Sequence, residues 1–178
     1  MKEFVLGLTL LRIILSPLIF IFSVFLETNW LALAFFLIAA ATDYYDGYLA
    51  RKYNVESRLG AILDPIADKV LLVFAIFSVV LFTENDYVAL IGAFILGREF
   101  WVSALREFAS KTQQHKATKV TFIAKTKTSF QFIALGMYFF AEAANLPLIS
   151  FLANFFLFLA MMFAYKSALE YTQNLINK

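Results

Sequence analysis

The chain has no cysteine and a single histidine, His115. The first absence excludes disulfides, thiolate metal ligands and cysteine nucleophiles. With one imidazole left as the only nitrogen ligand, the pair of absences argues against zinc-type ligation as well. Charge is scarce too: 16% of the 178 residues are charged, against 62% hydrophobic residues that include 22 phenylalanines. So few charges cannot cover a water-facing surface, and a soluble domain runs near half apolar, so the chain reads as an integral membrane protein. No small-residue cleavage site follows the opening apolar stretch, which carries Arg12, and no removable signal peptide is expected. Internal repeats, low-complexity tracts and Gly/Ser linkers are lacking, which predicts a single transmembrane domain over residues 1–178.

What is present is long apolar runs. Crossing the hydrocarbon core takes roughly 20 apolar residues in a helix. The sequence offers six runs of about that length: Leu8 to Leu26, Trp30 to Ala50, Leu59 to Phe82, Val88 to Arg106, Val120 to Ala141 and Leu146 to Leu169. Short alternating runs of the kind that build barrels are missing, so the expected class is all-α with about six transmembrane helices. Three connections, Glu27 to Asn29, Thr83 to Tyr87 and Glu142 to Pro147, contain no lysine or arginine. The basic residues fall on the other side, in and around Arg51 to Arg58 and Arg106 to Lys119. An excess of Lys and Arg marks the cytoplasmic side, so both termini and the basic loops are expected there. Trp30, Tyr87 and Tyr171 are expected at membrane interfaces.

Against this background four aspartates stand out. Asp43, Asp46, Gly47 and Ala50 share one helical stripe, and Gly60, Asp64 and Asp68 share another. The short turn between them predicts antiparallel neighbouring helices with the two stripes face to face, opening to the cytosol. A carboxylate in the membrane interior costs about 2.5 to 3.5 kcal/mol on insertion scales, so four require cations. Arg51 and Lys69 supply two charges, but clustered carboxylate oxygens suit hard divalent ions, and two Mg2+ or Mn2+ would balance four aspartates. Gly47, Ala50 and Gly60 leave room for a ligand, although small residues also seat neighbouring membrane helices. Intramembrane carboxylates mark ion pathways too, which keeps a divalent-cation transporter as an alternative. Against it, no polar residues continue outward through the same two helices.

The pattern Asp43-x2-Asp46-Gly47-x2-Ala50-Arg51-x8-Gly60-x3-Asp64-x3-Asp68 resembles the signature of the CDP-alcohol phosphotransferases. That resemblance implies six transmembrane helices around a cytoplasm-facing site, with Asp43, Asp46, Asp64 and Asp68 as ligands to two divalent ions. It further implies Asp68 as general base and Gly47, Ala50, Arg51 and Gly60 as lining of the CDP pocket. Thr9 and Arg12, in a stretch similar to the first-helix motif of the family, are candidates for that pocket or for helix-end anchors. Upstream, Phe4 to Gly7 replaces the usual Asn-Pro-Asn type stretch.

Gly97 to Glu107 and Ala124 to Gln131 are similar to the phosphatidylglycerophosphate synthase subfamily, with Ala124 where glycine is usual. This implies CDP-diacylglycerol as donor and glycerol 3-phosphate as acceptor, with serine, inositol phosphate or phosphatidylglycerol as alternative acceptors. Arg98, Arg106, Lys125 and Lys127 could grip the acceptor phosphate by charge-assisted hydrogen bonds. Arg98 has a second reading, as half of an ion pair with Glu99 or an aspartate. The resemblance also implies a multi-pass protein of the cell (inner) membrane and a homodimer, and no nucleic-acid partner is expected.

Overall fold

The computed structural model describes residues 2–53, 58–112 and 122–176, and among them the chain is helical throughout apart from short turns. Its helices are α1 (Lys2–Phe20), continued by a π-helical turn (Ile21–Phe25), α2 (Asn29–Tyr53), α3 (Arg58–Thr83), α4 (Asp86–Lys111), α5 (Phe122–Ala144) and α6 (Pro147–Ile176). Each of the six apolar runs lies largely within one of these helices. Four of them, Glu3–Phe25, Ile62–Thr83, Asp86–Lys111 and Pro147–Ile176, are long and apolar enough to cross a membrane. In α2 the apolar run is cut short by Asp43 and Asp46, and in α5 by Lys125 and Lys127.

The helix ends follow from local chemistry. Thr28 opens α2 by accepting the first amide bonds, from Leu31 and Ala32 at 3.0 and 3.1 Å. Pro147 opens α6, a position where its missing N–H costs nothing. The three lysine-free connections each turn through a left-handed residue that is not glycine: Glu27 (φ 51°), Glu84 (φ 47°) and Asn145 (φ 54°). At Asn145 the next amide, Leu146 N–H, reaches back to the Ala141 carbonyl at 2.9 Å, which closes a Schellman-type cap. At Glu27 the matching bond, Thr28 N–H to Phe22 carbonyl at 2.9 Å, spans one residue more because the π-turn widens the last coil.

The chain divides into two compact units, one of Met1–Asn85 with Gly136–Ser150 and the other of Asp86–Leu135 with Phe151–Lys178. In the first, α1 is the central element. Thr9, Arg12, Ser16 and Ile19, spaced three, four and three residues apart, form one face and are all fully buried. α1 packs along both α2 and α3, and the two aspartate stripes, expected face to face, come together around its Arg12. The physical reason is charge. Carboxylates gathered from two helices repel each other, and α1 brings a cation among them. Away from that polar level the unit is packed with apolar side chains, Ala32, Phe36, Leu71, Ala75 and Val79 among them. Phe139 meets Phe36 and Phe82 with ring centroids 5.2 and 5.6 Å apart.

In the second unit, α6 presents Ala153, Leu157, Ala160, Ala164, Ala168 and Tyr171 as a buried stripe at helical spacing. Small side chains on such a stripe let backbones approach closely, the usual device for membrane helices. Val102 of α4 packs against Ala168 and Tyr171. Exposed leucines and phenylalanines are plentiful, as the lipid-facing surface of a membrane protein requires.

Candidate active site

Arg12 organises the aspartates. Its Nη1 lies 2.9 Å from Asp43 Oδ1 and also donates to Asp68 Oδ1, while Nη2 donates to Asp46 Oδ2. One turn earlier on the same face of α1, Thr9 Oγ1 donates to Asp64 Oδ1 at 2.7 Å. One turn later, Ser16 Oγ donates to the Arg12 carbonyl at 2.7 Å. Two residues of a single helix therefore contact all four aspartates, three through a guanidinium and one through a hydroxyl. Three carboxylates against one guanidinium leave the group acidic. Isolated, a buried arginine or a buried carboxylate is costly; together they are mutually solvated.

The depth of each group is informative. The Arg12 side chain has no exposure at all, that of Asp46 is 6% exposed, and those of Asp43 and Asp68 are 34% and 53% exposed. The cation lies beneath, Asp46 is buried with it, and Asp43 and Asp68 reach the surface. Gly60 is buried on α3. Gly47, Ala50 and Arg51 belong to α2 and Lys125 to α5, but their side chains, like His115, Lys116 and Lys119, lie outside the described residues. The sequence offered Arg51 and Lys69 as counter-ions. Among the described residues the ion pairs of this site are made by Arg12, from 31, 34 and 56 positions away in the chain for Asp43, Asp46 and Asp68.

The second unit holds a different polar cluster. Arg98, buried on α4, donates from Nε to the Ala164 carbonyl at 2.8 Å, from Nη2 to Ser167, and from Nη1 to Glu99 Oε1 at 3.0 Å. The buried Lys127 of α5 donates to the same Glu99 oxygen. Arg106 is exposed, with its guanidinium 5.7 Å from the centre of the Tyr171 ring and near enough to Arg98 and Lys127 to repel both. Arg98, Arg106 and Lys127 are thus gathered in one unit, with Glu99 tying two of them. Glu99 and Ser167 were not singled out as site residues in the sequence, although Glu99 adjoins Arg98. Ser167 carries no sequence signal beyond its place on the small-residue stripe.

Comparison with known proteins decides the family. The sequence profile described as CDP-alcohol phosphatidyltransferase matches residues 6–166, nearly the whole chain. The chain belongs to the CDP-alcohol phosphatidyltransferase family. It is 40% identical over 132 residues, 72% of each chain, to the CDP-diacylglycerol–glycerol-3-phosphate 3-phosphatidyltransferase of Escherichia coli (strain K12). The proteins of the same name from Shigella flexneri serotype 5b and Shigella sonnei match to the same extent.

For a CDP-alcohol phosphatidyltransferase the question is whether these aspartates suit divalent ions. Among the described residues no three His, Cys, Asp or Glu side chains stand in an arrangement that could hold a metal ion. The donor set is nevertheless of the right kind: hard carboxylate oxygens, excess negative charge, and a convergence on one cationic group already present. The residues fit hard divalent cations by chemistry and charge. Their side-chain positions here are those that serve Arg12 and Thr9.

Proposed function

We propose that this family member transfers the phosphatidyl group of CDP-diacylglycerol to sn-glycerol 3-phosphate, giving phosphatidylglycerophosphate and CMP. The observation that carries the reading is the gathering of Asp43, Asp46 and Asp68 from two different helices at one partly exposed polar level. The printed names of the relatives supply the substrates. In this reading Asp43, Asp46, Asp64 and Asp68 would hold two divalent ions, Mg2+ or Mn2+. Such ions, when bound, supply positive charge to the diphosphate and to the departing CMP.

The protein's own groups do the rest. The half-exposed Asp68 takes the proton of the attacking hydroxyl. That hydroxyl oxygen bonds to the phosphatidyl phosphorus while the bond from phosphorus to CMP breaks, and CMP leaves with the electron pair. Gly47, Ala50, Arg51 and Gly60 line the nucleotide pocket. Arg106, exposed, meets the acceptor phosphate, and Arg98 and Lys127 add positive field from beneath, with Lys125 as a further contact. Glu99 keeps these two buried cations together at short range. The distribution of Lys and Arg supports six crossings of the cell membrane with both termini and the site on the cytoplasmic side. A homodimer belongs to the same reading.

The test is release of CMP from CDP-diacylglycerol by purified protein in lipid vesicles, with glycerol 3-phosphate, serine, inositol phosphate and phosphatidylglycerol offered in turn. Glycerol 3-phosphate should support the fastest release. Preference for any other acceptor overturns the substrate assignment, and no release with any of them overturns the reaction.

A further inference from the structure

The buried face of α1 is not absorbed by that reaction. Thr9 and Arg12 are completely buried, behind the aspartates rather than beside any open surface, so neither is placed to touch a nucleotide. Each of their four contacts takes one carboxylate oxygen: Oδ1 of Asp43, Asp64 and Asp68 and Oδ2 of Asp46. None of these α1 contacts engages the other oxygen of any of the four, although Asp43 and Asp68 also lie within hydrogen-bond reach of each other. Asp43 and Asp68 have partly exposed side chains, whereas the guanidinium holding them has none of its surface exposed. The cation therefore supports the carboxylates from below without screening them from above. α1, packed along both helices, braces the aspartates of α2 and of α3 against each other through Arg12.

We propose that Thr9 and Arg12 are positioning residues that aim the second carboxylate oxygens of all four aspartates at the divalent ions, and that neither contacts the nucleotide. The inference rests on the metal-binding reading above and gives it a device. Groups that hydrogen-bond to metal-ligating carboxylates fix their orientation, and losing such a partner typically weakens metal affinity about 10- to 100-fold. Thr9 and Arg12 differ in what they do: Thr9 orients Asp64 alone, while Arg12 couples Asp43 and Asp46 on α2 to Asp68 on α3.

The experiment measures Mn2+ affinity of the full-length protein in detergent by electron paramagnetic resonance of the free ion, and CMP affinity at saturating Mn2+. Thr9→Val keeps the side-chain shape and removes the donor; it should weaken Mn2+ binding about 10-fold. Thr9→Ser restores the hydroxyl and should return affinity to near the wild-type value. Arg12→Lys, whose single ammonium cannot span three carboxylates, should weaken Mn2+ binding by at least as much as Thr9→Val. At saturating Mn2+ each variant should bind CMP as the wild type does. Wild-type Mn2+ affinity in monodisperse Thr9→Val and Arg12→Lys overturns the proposal. So does loss of CMP affinity with Mn2+ affinity intact, which would make these residues nucleotide contacts. Failure of the wild-type protein itself to bind Mn2+ is a different result: it removes the metal reading and the proposal with it.

Discussion

Glu99 is the keystone of the second unit's polar cluster, and its removal has a calculable cost. Glu99→Gln preserves shape and one acceptor oxygen but withdraws the negative charge that faces two buried cations, Arg98 and Lys127. Removing one partner of a buried ion pair costs about 3 to 5 kcal/mol, because the remaining charge is left uncompensated. Arg98 keeps two other acceptors, the Ala164 carbonyl at 2.8 Å and Ser167. Lys127 has Glu99 as its described partner, so it bears most of the loss. The lower end of the range, about 3 kcal/mol, is therefore expected. If that accounting is right, Lys127→Met added to Glu99→Gln should recover about 2 kcal/mol, a coupling within the range for residues in direct contact. The assay is a double-mutant cycle on reversible unfolding in mixed micelles. A loss below about 1 kcal/mol for Glu99→Gln, or single effects that simply add, would refute the reasoning.

Two further outcomes test other levels of the structure. Asp68→Asn removes a carboxylate assigned both to proton transfer and to metal binding; turnover should fall at least about 100-fold, read as CMP release, with elution on size exclusion unchanged. Glu84 holds a left-handed backbone conformation at φ 47°, so Glu84→Val should lower stability by about 1 kcal/mol or more, while Glu84→Gly should not. Thermal unfolding in detergent separates the two, and equal stability of the valine and glycine variants would remove backbone strain as the cause.

Much of this architecture is legible in the sequence because membrane helices announce themselves by length and apolarity. The run Trp30 to Ala50, for instance, falls inside α2, and Leu59 to Phe82 falls inside α3. The aspartate spacings are equally legible, since residues three or four apart in a helix share a face whatever the tertiary structure. What periodicity does not carry is which helix lies between which. Along the chain Arg51 and Lys69 are the cations nearest the aspartates, but two charges do not balance four, so the sequence points to divalent ions as well. The described ion pairs come from Arg12, on a helix that the chain reaches long before. A signal was available: Thr9, Arg12 and Ser16 put three polar groups on one face of an otherwise apolar run, which is expensive unless that face meets polar partners. Arg98 is conspicuous for the same reason. Its bonds to the Ala164 carbonyl and Ser167 could not be read from sequence, because they depend on the close approach that alanines permit on a distant helix.

The intercalation of α1 between α2 and α3 also bears on how the protein is made. Translation delivers α1 before either of the helices that carry the acids, so the arginine is in place when each pair of aspartates is released toward the bilayer. A newly inserted α2 finds a waiting guanidinium, and α3 completes the set, instead of both entering the lipid as bare anions. A rearranged chain in which α1 follows α3 would keep the same side chains for the finished site. It would lose that escort during biogenesis, and the expected defect is in insertion yield rather than in the stability of the molecules that do fold.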